Sequence, residues 1–102
     1  MLHNFRTYQL AKTFYSDCQG LKLREPIKNQ FERAVLSIVL NLAEGVGKPT
    51  SKDRRRFYAI SMGSLREVQA ILDLTGNTKI FQSSQPLAAS LYRLMQNPGG
   101  SS

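Results

Sequence analysis

Between Pro26 and Val46 the chain carries apolar residues on almost every side of a helical wheel. Phe31, Val35, Ile38 and Leu42 recur at helical spacing and mark one core-facing stripe. Leu36, Val39, Leu40 and Ala43 fill much of the remaining arc. At about 100° per residue the apolar arc spans roughly 240°, against roughly 100–140° on an ordinary surface helix. Only Gln30, Arg33, Ser37, Asn41 and Glu44 form a thin polar stripe. Such a helix has two faces to bury. One enters the chain's own core. The other predicts a seam against a second copy, because exposed leucines would leave a sticky patch. The polar stripe has three readings: a solvent face, a central channel or a subunit interface. The interface is favoured, since polar groups within an apolar arc fix register. Arg33, Leu36, Val39, Leu40, Asn41, Ala43 and Glu44 are therefore the expected oligomer interface, with Arg33 or Asn41 paired to Glu44 or to its symmetry mate.

Three more helices follow from the same patterning. Helix 1 is expected from about Phe5 to Gln19, with Asn4 as N-cap and Gly20 as a left-handed stop. Its apolar side holds Tyr8, Leu10, Ala11, Phe14, Tyr15 and Cys18. Helix 2 starts at Pro26, where a missing N–H costs nothing, and the loop from Gly45 to Pro49 ends it. Thr50 followed by Asp53 resembles a capping box opening helix 3, which runs to about Thr75 with Gly76 as stop. Phe57, Ile60, Ser64, Val68, Ile71 and Leu72 form its expected core stripe, with Leu65 beside it. Gly63 lowers helix propensity by about 1 kcal/mol, so a close backbone approach is expected there. Helix 4 begins near Ser84 or Gln85 and ends near Gln96, with Leu87, Ala88, Leu91, Leu94 and Met95 on its apolar face. No segment alternates with period two. The expected fold is all-α: an antiparallel up-down-up-down four-helix bundle over residues 1–97. Residues 98–102 read as a flexible tail or an engineered scar.

Charge changes the picture next. Fourteen basic against seven acidic side chains give a net charge of +7 over 102 residues. That excess favours nucleic acid or another polyanion as partner, and it multiplies with subunit number. Lys48, Lys52, Arg54, Arg55, Arg56 and, further along, Arg66 are the leading nucleic-acid-binding candidates. Cations at a helix N-terminus oppose the helix dipole, so three arginines there suggest a use beyond folding. Lys22, Arg24 and Lys28 form a second group around the helix 1–2 turn.

Catalytic chemistry finds little to work with. His3 is the single histidine and sits near the terminus. Cys18 is a lone cysteine on an apolar face, which argues against a disulfide framework and fits a reducing cytoplasm. Neither a metal-ligand cluster nor a full phosphate-binding glycine loop is present, and no 18-residue apolar run offers a membrane span. The expectation is a non-enzyme that needs no cofactor.

Two blocks carry a family resemblance. Ser37-Ile38-x-x-Asn41-x-Ala43-Glu44-Gly45, preceded by Gln30 and Arg33-Ala34, resembles the signature of the 23S rRNA intervening-sequence proteins. Phe57-x-x-Ile60-x-x-Gly63-Ser64-Leu65-x-Glu67 is similar to that family's second block. The resemblance implies a four-helix bundle assembling into a homopentameric barrel. The family includes the accessory variability determinant proteins of diversity-generating retroelements. These are basic pentamers that bind a reverse transcriptase and its template RNA without catalysing a reaction themselves. The resemblance thus implies an RNA-binding scaffold for such a reverse transcriptase. An rRNA-associated intervening-sequence protein is the alternative, and an adaptor for an acidic protein partner is the third.

Overall fold

The computed structural model describes residues 5–99. Among them are five helical segments: α1 (Arg6–Cys18), α2 (Ile27–Val46), α3 (Ser51–Leu74), α4 (Thr78–Ser83) and α5 (Gln85–Gln96). No strand occurs among the described residues. Hydrogen bonds fix the directions. Ser37 Oγ lies 2.7 Å from Ser64 Oγ, and Ser61 Oγ donates to the Ile38 carbonyl at 2.7 Å, so α2 and α3 run antiparallel. Arg55 Nε donates to the Met95 carbonyl at 3.1 Å and Gln69 Nε2 to Ser84 Oγ at 2.9 Å, so α3 and α5 do the same. Helix α1 closes the ring by packing on both α2 and α5. The result is an up-and-down four-helix bundle with extents of 40 × 21 × 20 Å.

Its fourth helix is broken. Residues 78–83 form a helical segment that the patterning did not reveal, and Ser84 alone separates it from α5. Pro86 explains the break. It has no N–H to give the Gln82 carbonyl four residues back, and its ring crowds that carbonyl. The ladder bridges the gap through Ser84 N–H to the Ile80 carbonyl (3.2 Å) and Ala88 N–H to the Ser84 carbonyl (3.0 Å).

The core follows the predicted stripe on α2: Phe31, Val35, Ile38 and Leu42 are buried, as is Ala34. On α3 the buried stripe is rotated by about one residue from the expected one. Tyr58, Ser61, Met62, Leu65, Val68, Gln69 and Leu72 are buried, while Phe57 and Ser64 are half-buried and Ile60 is 45% exposed. The rotation reflects α3's tight approach to α2. A Cβ on Gly45 would lie 2.7 Å from Tyr58 Cε1 and 3.1 Å from Phe57 Cβ. Gly45 is thus a buried packing position inside α2, and the helix ends two residues later, at Gly47. Gly63, by contrast, is exposed, and a Cβ there would meet nothing within 4 Å. The close approach sits at Gly45, Ser61 and Ser64 instead.

The caps divide similarly. Thr50 Oγ1 accepts from the Asp53 N–H at 3.2 Å, as the capping pattern predicts. Gly76 takes a positive φ of 73° after α3. Gly20 does not adopt a positive φ, and α1 ends with Gln19 N–H bonded to the Ser16 carbonyl at 3.1 Å. Asn4, read as the cap of α1, lies outside the described residues, as do His3 and residues 100–102 of the tail. Pro98 is buried and Gly99 lies beside Ser51, so the tail's first residues pack on the start of α3.

Candidate nucleic-acid interface

The α2–α3 connection gathers five cations at one end of the bundle. Lys48 Nζ pairs with Glu44 at 3.0 Å and stands 5.1 Å from the Phe57 ring centroid. The Arg56 guanidinium lies 5.0 Å from the same ring. Phe57 is thus flanked by two cations, an arrangement that attracts both through the ring's quadrupole. The core-stripe pattern hid this, because Phe57 fits helical spacing equally well in either role. Arg54 Nε donates to the Lys48 carbonyl at 2.7 Å, fixing the loop against the helix. Arg55 spends its Nε on Met95, at the end of α5. A guanidinium has five N–H donors in a fork, so each arginine keeps further donors for a phosphate. Lys52 is exposed. Among the described residues Lys48–Glu44 is the one ion pair within 4.0 Å. Most of the charge at this end is therefore uncompensated by contact, and its field reaches solvent. Beneath it, burial pushes the Tyr58 phenol above its ordinary pKa of 10.0, and the nearby Arg54 charge opposes that rise.

The other basic candidates lie elsewhere. Arg66 is three turns along α3, about 16 Å from Arg55 at 1.5 Å per residue. Its Nη1 donates to Gln69 Oε1 at 2.8 Å, tying it to the buried Gln69–Ser84 bond. Lys22, Arg24 and Lys28 are exposed around the α1–α2 turn, which the antiparallel topology puts at the opposite end of the bundle. Two separate cationic ends result, in place of one continuous patch.

The expected interface residues divide between two roles. Leu36 is 45% exposed and Leu40 57% exposed, as large apolar residues on the outside of α2. Val39 and Ala43 are half-buried and Arg33 is exposed. Apart from Arg33, the polar stripe is engaged within the chain. Asn41 Nδ2 donates to the carbonyl and the Oγ of Ser37, both at 3.0 Å. Gln30 Nε2 donates to Glu67 of α3. Within the chain Glu44 pairs with Lys48. Gln30 and Ser37 thus stitch α2 to α3, through Glu67 and Ser64.

Cys18 is buried, and that burial pushes its thiol up to about 12, with the Asp17 charge adding to the rise. Such a thiol packs as a small apolar group, since the reactive thiolate is suppressed. Among the described residues no group of three or more His, Cys, Asp or Glu could hold a metal ion, and no helix is long and apolar enough to cross a membrane.

No curated protein and no solved structure matches the chain. The profile of one family, described as 23S rRNA-intervening sequence protein, matches residues 4–97. That span takes in all of α1 to α5, including both blocks on α2 and α3, and the chain belongs to the 23S rRNA-intervening sequence protein family.

Proposed function

We propose that this protein is a non-catalytic, oligomeric RNA-binding scaffold. The observation that carries the reading is the cationic end built by Lys48, Lys52, Arg54, Arg55 and Arg56, which holds a single ion pair among the described residues. Phosphate neutralisation asks for cations spread over a surface, and such binding weakens steeply with salt. The exposed Leu36, Leu40 and Ile60 support self-association, with a pentamer as the state the family resemblance implies. The finer role we assign is that of an accessory variability determinant, which holds a reverse transcriptase and its template RNA during mutagenic cDNA synthesis in a bacterial cytoplasm. Family membership also favours a second reading, a partner of ribosomal RNA.

Changing Arg54, Arg55 and Arg56 together to Glu reverses the cationic end. Fluorescence anisotropy with a structured RNA at two salt concentrations should show binding lost in the variant and a steep salt slope in the parent. Equal affinity in the two proteins would remove this end from the RNA interface. Affinity purification from the native cell then separates the roles. A reverse transcriptase with one short RNA supports the retroelement role, ribosomal RNA supports the second reading, and one acidic protein without RNA supports an adaptor.

A further inference from the structure

We infer that the cleft between α1 and α2 receives a single unstacked guanine base of RNA, a step that rests on the RNA-binding reading. The cleft has a volume of about 370 Å³. That is at the small end of the roughly 300–1,000 Å³ range of small-molecule sites. Its walls and its rim differ in kind. Phe31, Val35 and the Cys18 thiol form a buried apolar floor, and Tyr15, 36% exposed, offers its ring at one side. The rim is polar: Gln19, Asn29, Glu32 and Arg33. Gln19 commits its Nε2 to the Tyr15 carbonyl at 3.1 Å, which leaves its Oε1 as an acceptor. The side chains of Asn29, Glu32 and Arg33 make no hydrogen bond or ion pair among the described residues.

A nucleobase has the matching anatomy, with apolar faces and a polar edge. Single-stranded RNA is read by stacking such faces on aromatic rings and hydrogen-bonding the edges. Guanine fits this rim best. The Glu32 carboxylate can accept from its N1–H and its exocyclic amine together, and the Arg33 fork can donate to O6 and N7. Adenine and the pyrimidines do not present that donor pair beside those acceptors. Phosphates flanking the base would meet cations on either side. Lys28 precedes Asn29 and Lys22 follows Gln19 by three residues, while Lys12 lines the groove's continuation past Tyr15. A second copy is a poorer occupant. Four polar side chains at the rim would each need a partner in a dry seam. The exposed Leu40 and Ile60 do not line the cleft, so they leave a second copy an apolar surface outside it, with Leu36 at the border.

The test is a chemical-shift titration of the ¹⁵N-labelled full chain with GMP, AMP, CMP and UMP. The expected result is shifts at Tyr15, Gln19, Asn29 and Glu32, with GMP binding about tenfold tighter than AMP, the discrimination of one good two-bond base contact. Glu32→Gln replaces an exposed acceptor without changing size and should erase the preference while far-ultraviolet circular dichroism stays unchanged. Shifts confined to residues 48–56 would overturn the cleft and leave the cationic end standing. Cleft resonances that ignore every nucleotide but move in Leu40→Glu would overturn it in favour of a second copy. GMP seated in the cleft of a chain that binds no RNA polymer would uphold the base site and remove the scaffold role.

Discussion

Replacing Gly45 by alanine puts a methyl group where none fits. Its Cβ would lie 2.7 Å from Tyr58 Cε1, 2.9 Å from Tyr58 Cδ1 and 3.1 Å from Phe57 Cβ. The Tyr58 ring is 1% exposed and walled in by the core, so it cannot swing aside. Overpacking of this kind costs up to about 3 kcal/mol. Alanine returns about 1 kcal/mol of helix propensity. The net loss is about 2 kcal/mol, or a fall in Tm on the order of 8–16 °C for a domain of this size. Gly63→Ala is the matched control. It has the same propensity gain with nothing within 4 Å of the new Cβ, so it should stabilise by up to about 1 kcal/mol. Urea denaturation at one fixed protein concentration measures both, with unchanged m-values showing that stability alone moved. Tyr58→Leu should cancel part of the Gly45→Ala penalty, since it removes the atoms that collide. A Gly45→Ala protein as stable as the parent would refute the close approach and the α3 rotation it explains.

Ser84→Ala leaves the buried Gln69 Nε2 without its 2.9 Å partner and should cost about 1–3 kcal/mol, whereas Gln69→Leu with Ser84→Ala should recover much of that in the same urea assay. Burial raises the folded pKa of Cys18 to about 12 and that of Tyr58 above its ordinary 10.0, so the stabilisation from each is full below the group's ordinary pKa and drains away as pH climbs through the raised one. Urea midpoints should therefore fall on the alkaline side, and Cys18→Ala should flatten that fall; an identical slope would disprove the thiol's part in it. Leu40→Glu puts a charge on the most exposed leucine of α2's outer ridge and should give a smaller species in light scattering, a wild-type mass placing the seam elsewhere.

The four long helices were legible because each carries a whole period-3.6 pattern, and α3 carries strong punctuation at both ends, Thr50-x-x-Asp53 and Gly76. The six-residue segment 78–83 was not, since Ile80 and Phe81 are too short a run to show a period and Pro86 three residues on reads as a boundary. On α3, Phe57 and Tyr58 are adjacent aromatics, and hydropathy alone does not say which faces inward. Gly45 decides it, through a contact between residues distant in sequence. The basic run from Lys48 to Arg56 is visible in the sequence as a cluster, but the topology that sends Lys22, Arg24 and Lys28 to the opposite end follows only from the helix directions. The α1–α2 cleft left no trace in the pattern, because its rim residues look like any solvated helix face.

The ring of helices has a consequence for how the chain folds. Ser37 and Ser64 are 27 residues apart, while Thr7 Oγ1 and Ser90 Oγ, 2.6 Å apart across α1 and α5, are separated by 83. Closing the longer loop from an unstructured chain costs about 1 kcal/mol more. The α2–α3 hairpin, which also has the most extensive packing, is thus the natural nucleus, and α1 waits for α5 before its side is covered. During synthesis that wait lasts until α5 has been made, 83 residues after Thr7. Substitutions between α2 and α3 should slow folding, and those between α1 and α5 should mainly speed unfolding.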